Sequence, residues 1–213
     1  MKAIAMHRFV GAGMVVLTAA LAGCSSDYVR DQGRAPAQVV ILSMAGAQGS
    51  TPDKFFSALK ADVVTNVTKP DPCSVTSPCP TVFNDLGHVE MSLILKDQGP
   101  PAQGPSVLNQ ITFTRYHVVY RRTDGHNTPG VDVPFAFDGA STFTVPASGT
   151  VTGSFELVRN DAKREAPLLA LRVSPVVLDT IADVTFYGRD QVGNEVAVTG
   201  SLSVSFADFG DVQ

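Results

Sequence analysis

The sequence predicts an all-β fold: an antiparallel sandwich of about eight or nine short strands in one domain. Three observations lead there. Apolar and polar residues alternate with period two in segment after segment, as half-buried strands require. Clusters of Gly, Pro, Asn and Asp punctuate those segments at short intervals. No helical periodicity persists beyond about three turns, and strands do not alternate with helices as a parallel sheet would need. The 213 residues suffice for one sizeable core, and with 44% hydrophobic residues the chain is too apolar to stay unfolded.

Taken in order, residues 25–36 are polar with Gly and Pro and read as a flexible tether. Gln38 to Met44, rich in Val and Ile, reads as the first strand. Leu59, Ala61, Val63, Thr65 and Val67 alternate with more polar neighbours. Phe55 and Phe56, after Thr51-Pro52-Asp53, also fit the opening of a short helix. From His88 to Lys96, Val89, Met91, Leu93 and Leu95 face one way and Glu90, Ser92 and Lys96 the other. A Gly/Pro/Gln loop follows over 98–106.

Ile111 to Arg122 is the longest strand expected, and its parity changes part-way. Ile111 and Phe113 share one face, while Tyr116, Val118 and Tyr120 share the other. A strictly pleated strand cannot bury both sets on one side. Either a β-bulge falls near Thr114-Arg115, or the strand passes between two environments. Thr123-Asp124-Gly125 marks a turn. Val131 to Phe137 comes next, with Pro134 placing it at an edge, then a short run from Thr142 to Val145. Thr150 to Leu157 sets Val151, Phe155 and Leu157 together. Asn160 to Ala166 is charged and helix-compatible until Pro167 interrupts, and Leu168 to Val173 reads as a further strand. The last hairpin has the strongest pattern. Val184, Phe186 and Gly188 alternate, Gly193-Asn194 supplies a turn, and Val196, Val198, Gly200, Leu202, Val204 and Phe206 keep period two. Thr199, Ser201, Ser203 and Ser205 form its polar side.

The N-terminus carries a different signal. Lys2 and Arg8 precede Phe9 to Ala22, a nearly unbroken apolar run too short to span a bilayer. The run ends in Leu21-Ala22-Gly23-Cys24, which resembles the lipobox of bacterial lipoproteins. The resemblance implies export, cleavage before Cys24, a diacylglycerol in thioether linkage on its sulfur and N-acylation. Two or more acyl chains hold a protein stably at a membrane, at about 0.8 kcal/mol per buried CH₂. Asp directly after the lipidated cysteine is the familiar inner-membrane retention signal; Ser25 stands there instead, which implies the outer membrane. The expected organisation is residues 1–23 as signal peptide, 24–36 as lipidated cysteine and tether, and 37–213 as a single sandwich domain.

With Cys24 consumed by lipid, Cys73 and Cys79 remain in a Pro-rich loop. An exported chain meets an oxidising compartment, so a local disulfide is the expected state. The spacing is not that of a redox CxxC centre, and no further metal ligands stand beside it. So small a loop gains little closure entropy, and the bridge shapes a surface more than it stabilises a core.

Tyr187-Gly188-Arg189-Asp190-Gln191-Val192-Gly193-Asn194-Glu195 resembles the D-x-x-G-N hairpin near the end of many bacterial Ig-like domains. Arg115-Tyr116-His117-Val118-Val119-Tyr120-Arg121-Arg122 is similar to the central tyrosine-bearing strand of fibronectin III and Ig-like sandwiches. The resemblance implies an antiparallel Ig-like β-sandwich. Trp is absent, and Cys73 and Cys79 are too close to be the inter-sheet pair of antibody domains. An elaborated sandwich is therefore implied.

Residues that carry chemistry are few. His88, His117 and His126 occur in no HxH or HExxH spacing, and no G-x-S-x-G elbow is present. Two acidic and amide groups suit a Ca²⁺ or ligand site at a sandwich rim: Asp124, Asn127 and Asp132, and Asp190, Asn194 and Glu195. Asp and Asn are also the usual residues of turns, and that reading is preferred. Arg115, Arg121 and Arg122 suit an anionic glycan or carboxylate, but read more simply as a solvated strand face whose stems cover apolar surface. A net charge of −4 without a basic patch argues against nucleic acid. No cofactor is expected beyond Ca²⁺ at those rims. The function expected is a non-catalytic, membrane-anchored binding or structural module contacting an envelope protein or polysaccharide. The alternatives are an accessory lipoprotein of an assembly or secretion machine, or a Ca²⁺-dependent carbohydrate-active domain.

Overall fold

The computed structural model describes residues 34–210; the apolar N-terminal run and Cys24 lie outside them. The alternating segments become ten strands. They are β1 (Ala37–Ala47), β2 (Ala58–Asp62), β3 (Thr65–Val67), β4 (Cys79–Thr81), β5 (Asp85–Leu95), β6 (Ile111–Arg121), β7 (Phe137–Val145), β8 (Thr150–Val158), β9 (Leu178–Asp190) and β10 (Glu195–Ala207). A three-stranded sheet, β1-β5-β8, packs on a five-stranded sheet, β2-β10-β9-β6-β7, with β3 and β4 as a small separate ribbon. The fold is an all-β sandwich. That ribbon is where the strand number exceeds expectation. Cys79 opens β4 and is disulfide-bonded to Cys73, with the Cα atoms 5.4 Å apart.

One pairing departs from the antiparallel expectation: β2 runs parallel to β10. After β1 the chain loops out and returns to pair Phe56 with Gly46 before β2 begins, so it joins the sheet in the direction of β10. No helix opens at Phe55-Phe56. Phe55 stacks on His88 with ring centres 3.5 Å apart. Among the described residues the first buried one is Ala35, only 2% exposed, and no helix among them is long and apolar enough to cross a membrane.

The parity change in β6 is resolved by a bulge. The register of β6 against both β7 and β9 slips between Phe113 and Arg115. Thr114 and Arg115 both face outward, while Ile111, Phe113, Tyr116, Val118 and Tyr120 are all buried. The gain is larger than apolar area. Tyr116 lies among Phe137, Phe155 and Phe186, and its hydroxyl accepts the Glu156 backbone N–H at 3.0 Å. Tyr120 donates to the Leu157 carbonyl at 2.6 Å. Leu157 is the residue that the β5–β8 ladder skips, between Glu156 and Val158. Two phenols from one sheet thus satisfy the backbone of the edge strand of the other. Gly87 makes room for this core, since a Cβ there would lie 2.3 Å from the Phe155 ring.

Three local expectations give way to tertiary context. Val131 to Pro134 is a loop, folded back through N–H bonds to the Thr128 carbonyl, so Pro134 precedes the edge strand rather than lying in it. Residues 160–166 hold only the 3₁₀ turn Ala162–Arg164. Leu168–Val173 is a 3₁₀ helix, not a strand. Its three-residue period buries Leu168 and Leu171 together and leaves Val173 at 93% exposed. This connection also brings Lys163 inside, where its ammonium nitrogen lies 2.8 Å from Asp85 Oδ2 with both side chains 1% exposed.

Candidate functional site

The outward side of the five-stranded sheet is made by the positions that alternate with the core, so its chemistry is hydroxyl, carboxylate and guanidinium. Register sets these groups in rungs. Asp138, His117, Thr185 and Thr199 stand opposite one another across β7, β6, β9 and β10. His117 Nδ1 meets Asp138 Oδ1 at 3.0 Å, and the two threonine hydroxyls meet at 2.8 Å. Nearer the β9–β10 turn, Arg115 faces Tyr187, its guanidinium 4.1 Å from the ring centre. Thr112 pairs with Thr144 at 2.9 Å, and Arg189 with Glu195 at 2.8 Å. Toward the other end, Asp183 accepts from Arg121 and from Ser201, each at 2.5 Å.

A shallow depression lies over β6, β9 and β10 beside their turn, lined by Arg34, Thr112, Thr114, Arg115, Tyr187 and Arg189 among others. The chain enters the domain at this end, because Arg34 sits in the depression just before β1. Arg189 is paired with Glu195, whereas Arg115 has no carboxylate within ion-pair distance among the described residues.

The three arginines grouped in the sequence therefore separate. Arg115 belongs to the depression. Arg121 is held by Asp183, and Arg122 turns into the β6–β7 loop, where its Nε meets Asp124 at 3.1 Å. Arg34 and Tyr187 were not legible as partners of Arg115. Tyr187 and Arg189 alternate on one side of β9, but only the β6–β9 register sets Tyr187 against Arg115.

The two rim groups stand at opposite ends of the sheet, since Ile111 pairs with Asp190 and Arg121 with Ile181. At one end, Asp124 accepts the His126 N–H at 3.1 Å, and Asn127 Oδ1 accepts the Arg122 N–H at 2.6 Å. Asp132 accepts the Thr128 N–H at 3.0 Å. These bonds hold the carboxyls of Asp124 and Asp132 below the usual range, through the Arg122 guanidinium first for Asp124 and the Thr128 N–H for Asp132. His126 Nδ1 lies 3.6 Å from Asp124, but in this exposed loop and away from the depression. At the other end, Asp190 Oδ1 accepts the N–H groups of Val192 and Asn194 at 3.0 and 2.8 Å, and Oδ2 the Asn194 side-chain amide at 2.7 Å. Gly193, at φ +90°, closes the turn. Both groups thus shape their own turns, and no cluster of three or more His, Cys, Asp or Glu with metal-binding geometry occurs among the described residues. His88, stacked on Phe55, has its imidazole pKa lowered by burial.

No protein family, no curated protein and no solved structure matches the chain.

Proposed function

We propose that this chain is an exported lipoprotein, anchored through Cys24, whose sandwich is a non-catalytic binding module of the cell envelope for an acidic polysaccharide. The anchor rests on the resemblance of Leu21-Ala22-Gly23-Cys24 to a lipobox. An Ig-like assignment finds support in the strand order. The last hairpin and the tyrosine-bearing strand share one sheet, and the first strand lies in the other.

The observation that carries the binding reading is the depression beside the chain entry. Arg34 and Arg115 supply cationic donors, Tyr187 a ring face, and Thr112, Thr114, Thr185 and Thr199 hydroxyls. Guanidinium groups bind carboxylates in a planar, bidentate geometry. An aromatic ring and hydroxyls suit the apolar faces and hydroxyl edges of a sugar. The anchor would hold this end of the domain close to the membrane.

The test is retention of the detergent-solubilised full chain on immobilised acidic and neutral envelope polysaccharides. Retention on the acidic matrix alone is expected, weakened at least about tenfold in Arg115→Ala, equivalent to about 1.4 kcal/mol. Equal retention of wild type and Arg115→Ala, or no preference for the acidic matrix, would overturn the reading.

A further inference from the structure

The pair between Lys163 and Asp85 differs from the other ion pairs, whose side chains are all substantially exposed; here both are 1% exposed. Asp85 opens β5 and Lys163 lies in the 3₁₀ turn after β8, so the contact joins two parts of the chain far apart in sequence. A buried ion pair persists when hydrogen bonds satisfy all its atoms. This one does not meet that condition. The Lys163 nitrogen stands 2.8 Å from Asp85 Oδ2, yet Oδ2 makes no hydrogen bond of acceptable geometry. Oδ1 is oriented separately, accepting the Gly49 backbone N–H at 3.0 Å.

We propose that Lys163 and Asp85 are joined by an intramolecular isopeptide bond, formed by condensation of the side-chain amine with the side-chain carboxyl. The surroundings favour the uncharged form of the acid. Burial pushes the Asp85 carboxyl above its ordinary pKa, outweighing the opposite pull of Lys163 and of the Gly49 N–H, and the nearby Asp62 charge acts in the same direction as burial. Transfer of the lysine proton to the carboxylate leaves a neutral amine in contact with a neutral acid, held in place by the fold. The nitrogen lone pair attacks Cγ, and the developing negative charge on Oδ1 faces the Gly49 N–H. The excess proton on nitrogen passes to Oδ2, the Cγ–Oδ2 bond breaks, and water leaves. One C–N bond forms, one C–O bond breaks, one water is released, and nothing is oxidised or reduced. The product ties the start of β5 to the β8–β9 connection and satisfies the orphaned oxygen by removing it.

The experiment is mass analysis of a tryptic digest of the purified, reduced full chain. The expected result is one branched peptide joining residues 61–96 to residues 160–164, since trypsin does not cut after an acylated lysine, lighter by one water than those two linear segments together. Those linear peptides should be missing. In Asp85→Asn the same branched mass is expected, because ammonia leaves in place of water, and Lys163→Arg should yield none. Full recovery of the two wild-type linear peptides at their unmodified masses would overturn the proposal, however the variants fold.

Discussion

Tyr120 shows how much one buried hydroxyl decides. Its phenol is enclosed, burial pushes its pKa up, and its proton goes to the carbonyl of Leu157, the residue of β8 that the neighbouring ladder skips. Replacing it by Phe keeps the packing against Phe206 but strands the Leu157 carbonyl away from water. Tyr120→Phe should therefore destabilise the domain by about 1–3 kcal/mol, more than an average hydrogen bond contributes. Urea unfolding monitored by tyrosine fluorescence or circular dichroism measures this directly; an unchanged midpoint and slope would refute the role assigned to the hydroxyl. The sequence marked Tyr120 as one of a buried set, and no local pattern could show that its partner is an edge carbonyl in the other sheet.

At the scale of elements, the β9–β10 hairpin and the β6 bulge were legible for different reasons. The hairpin is local: Gly193 permits the positive φ, and Asp190 accepts three hydrogen bonds from within the following four residues. Asp190→Ala should cost at least about 1.5 kcal/mol, because three hydrogen bonds converge on a residue only 6% exposed. Asp132→Ala, in an exposed loop where the carboxylate accepts the Thr128 backbone N–H, should cost distinctly less. Thermal melts of both variants make the comparison, and similar losses would show that the turn bonds of Asp190 carry no special weight. The bulge was legible as one of two ways to reconcile buried sets of opposite parity, and the register slip between Phe113 and Arg115 chooses it over a change of environment. Leu168–Val173 was misread because alternation and a three-residue period both fit so short an apolar run. Contacts with the core choose between them, burying Leu168 and Leu171.

At the scale of the molecule, the β1 end and the β9–β10 turn lie together, and Arg34 connects the chain's entry to the depression. A lipid on Cys24 would thus confine the candidate binding face near a membrane. Cys24→Ala should release the protein from the membrane fraction of its host while leaving the sandwich of residues 34–210 folded. Fractionation followed by circular dichroism checks both halves, and persistence in the membrane fraction would remove the role given to that cysteine. The sequence by itself determined the all-β class, the last hairpin and the Cys73–Cys79 bridge, and narrowed the parity change in β6 to two readings, because alternation, turn chemistry and a short cysteine spacing act over a few residues. Only the tertiary structure decided that β2 runs parallel to β10, that Arg115 parts from Arg121 and Arg122 to join Tyr187, and that Lys163 is buried against Asp85. Those outcomes depend on which strands become neighbours, and that is set by the packing of two sheets around one core, which no local run of residues specifies.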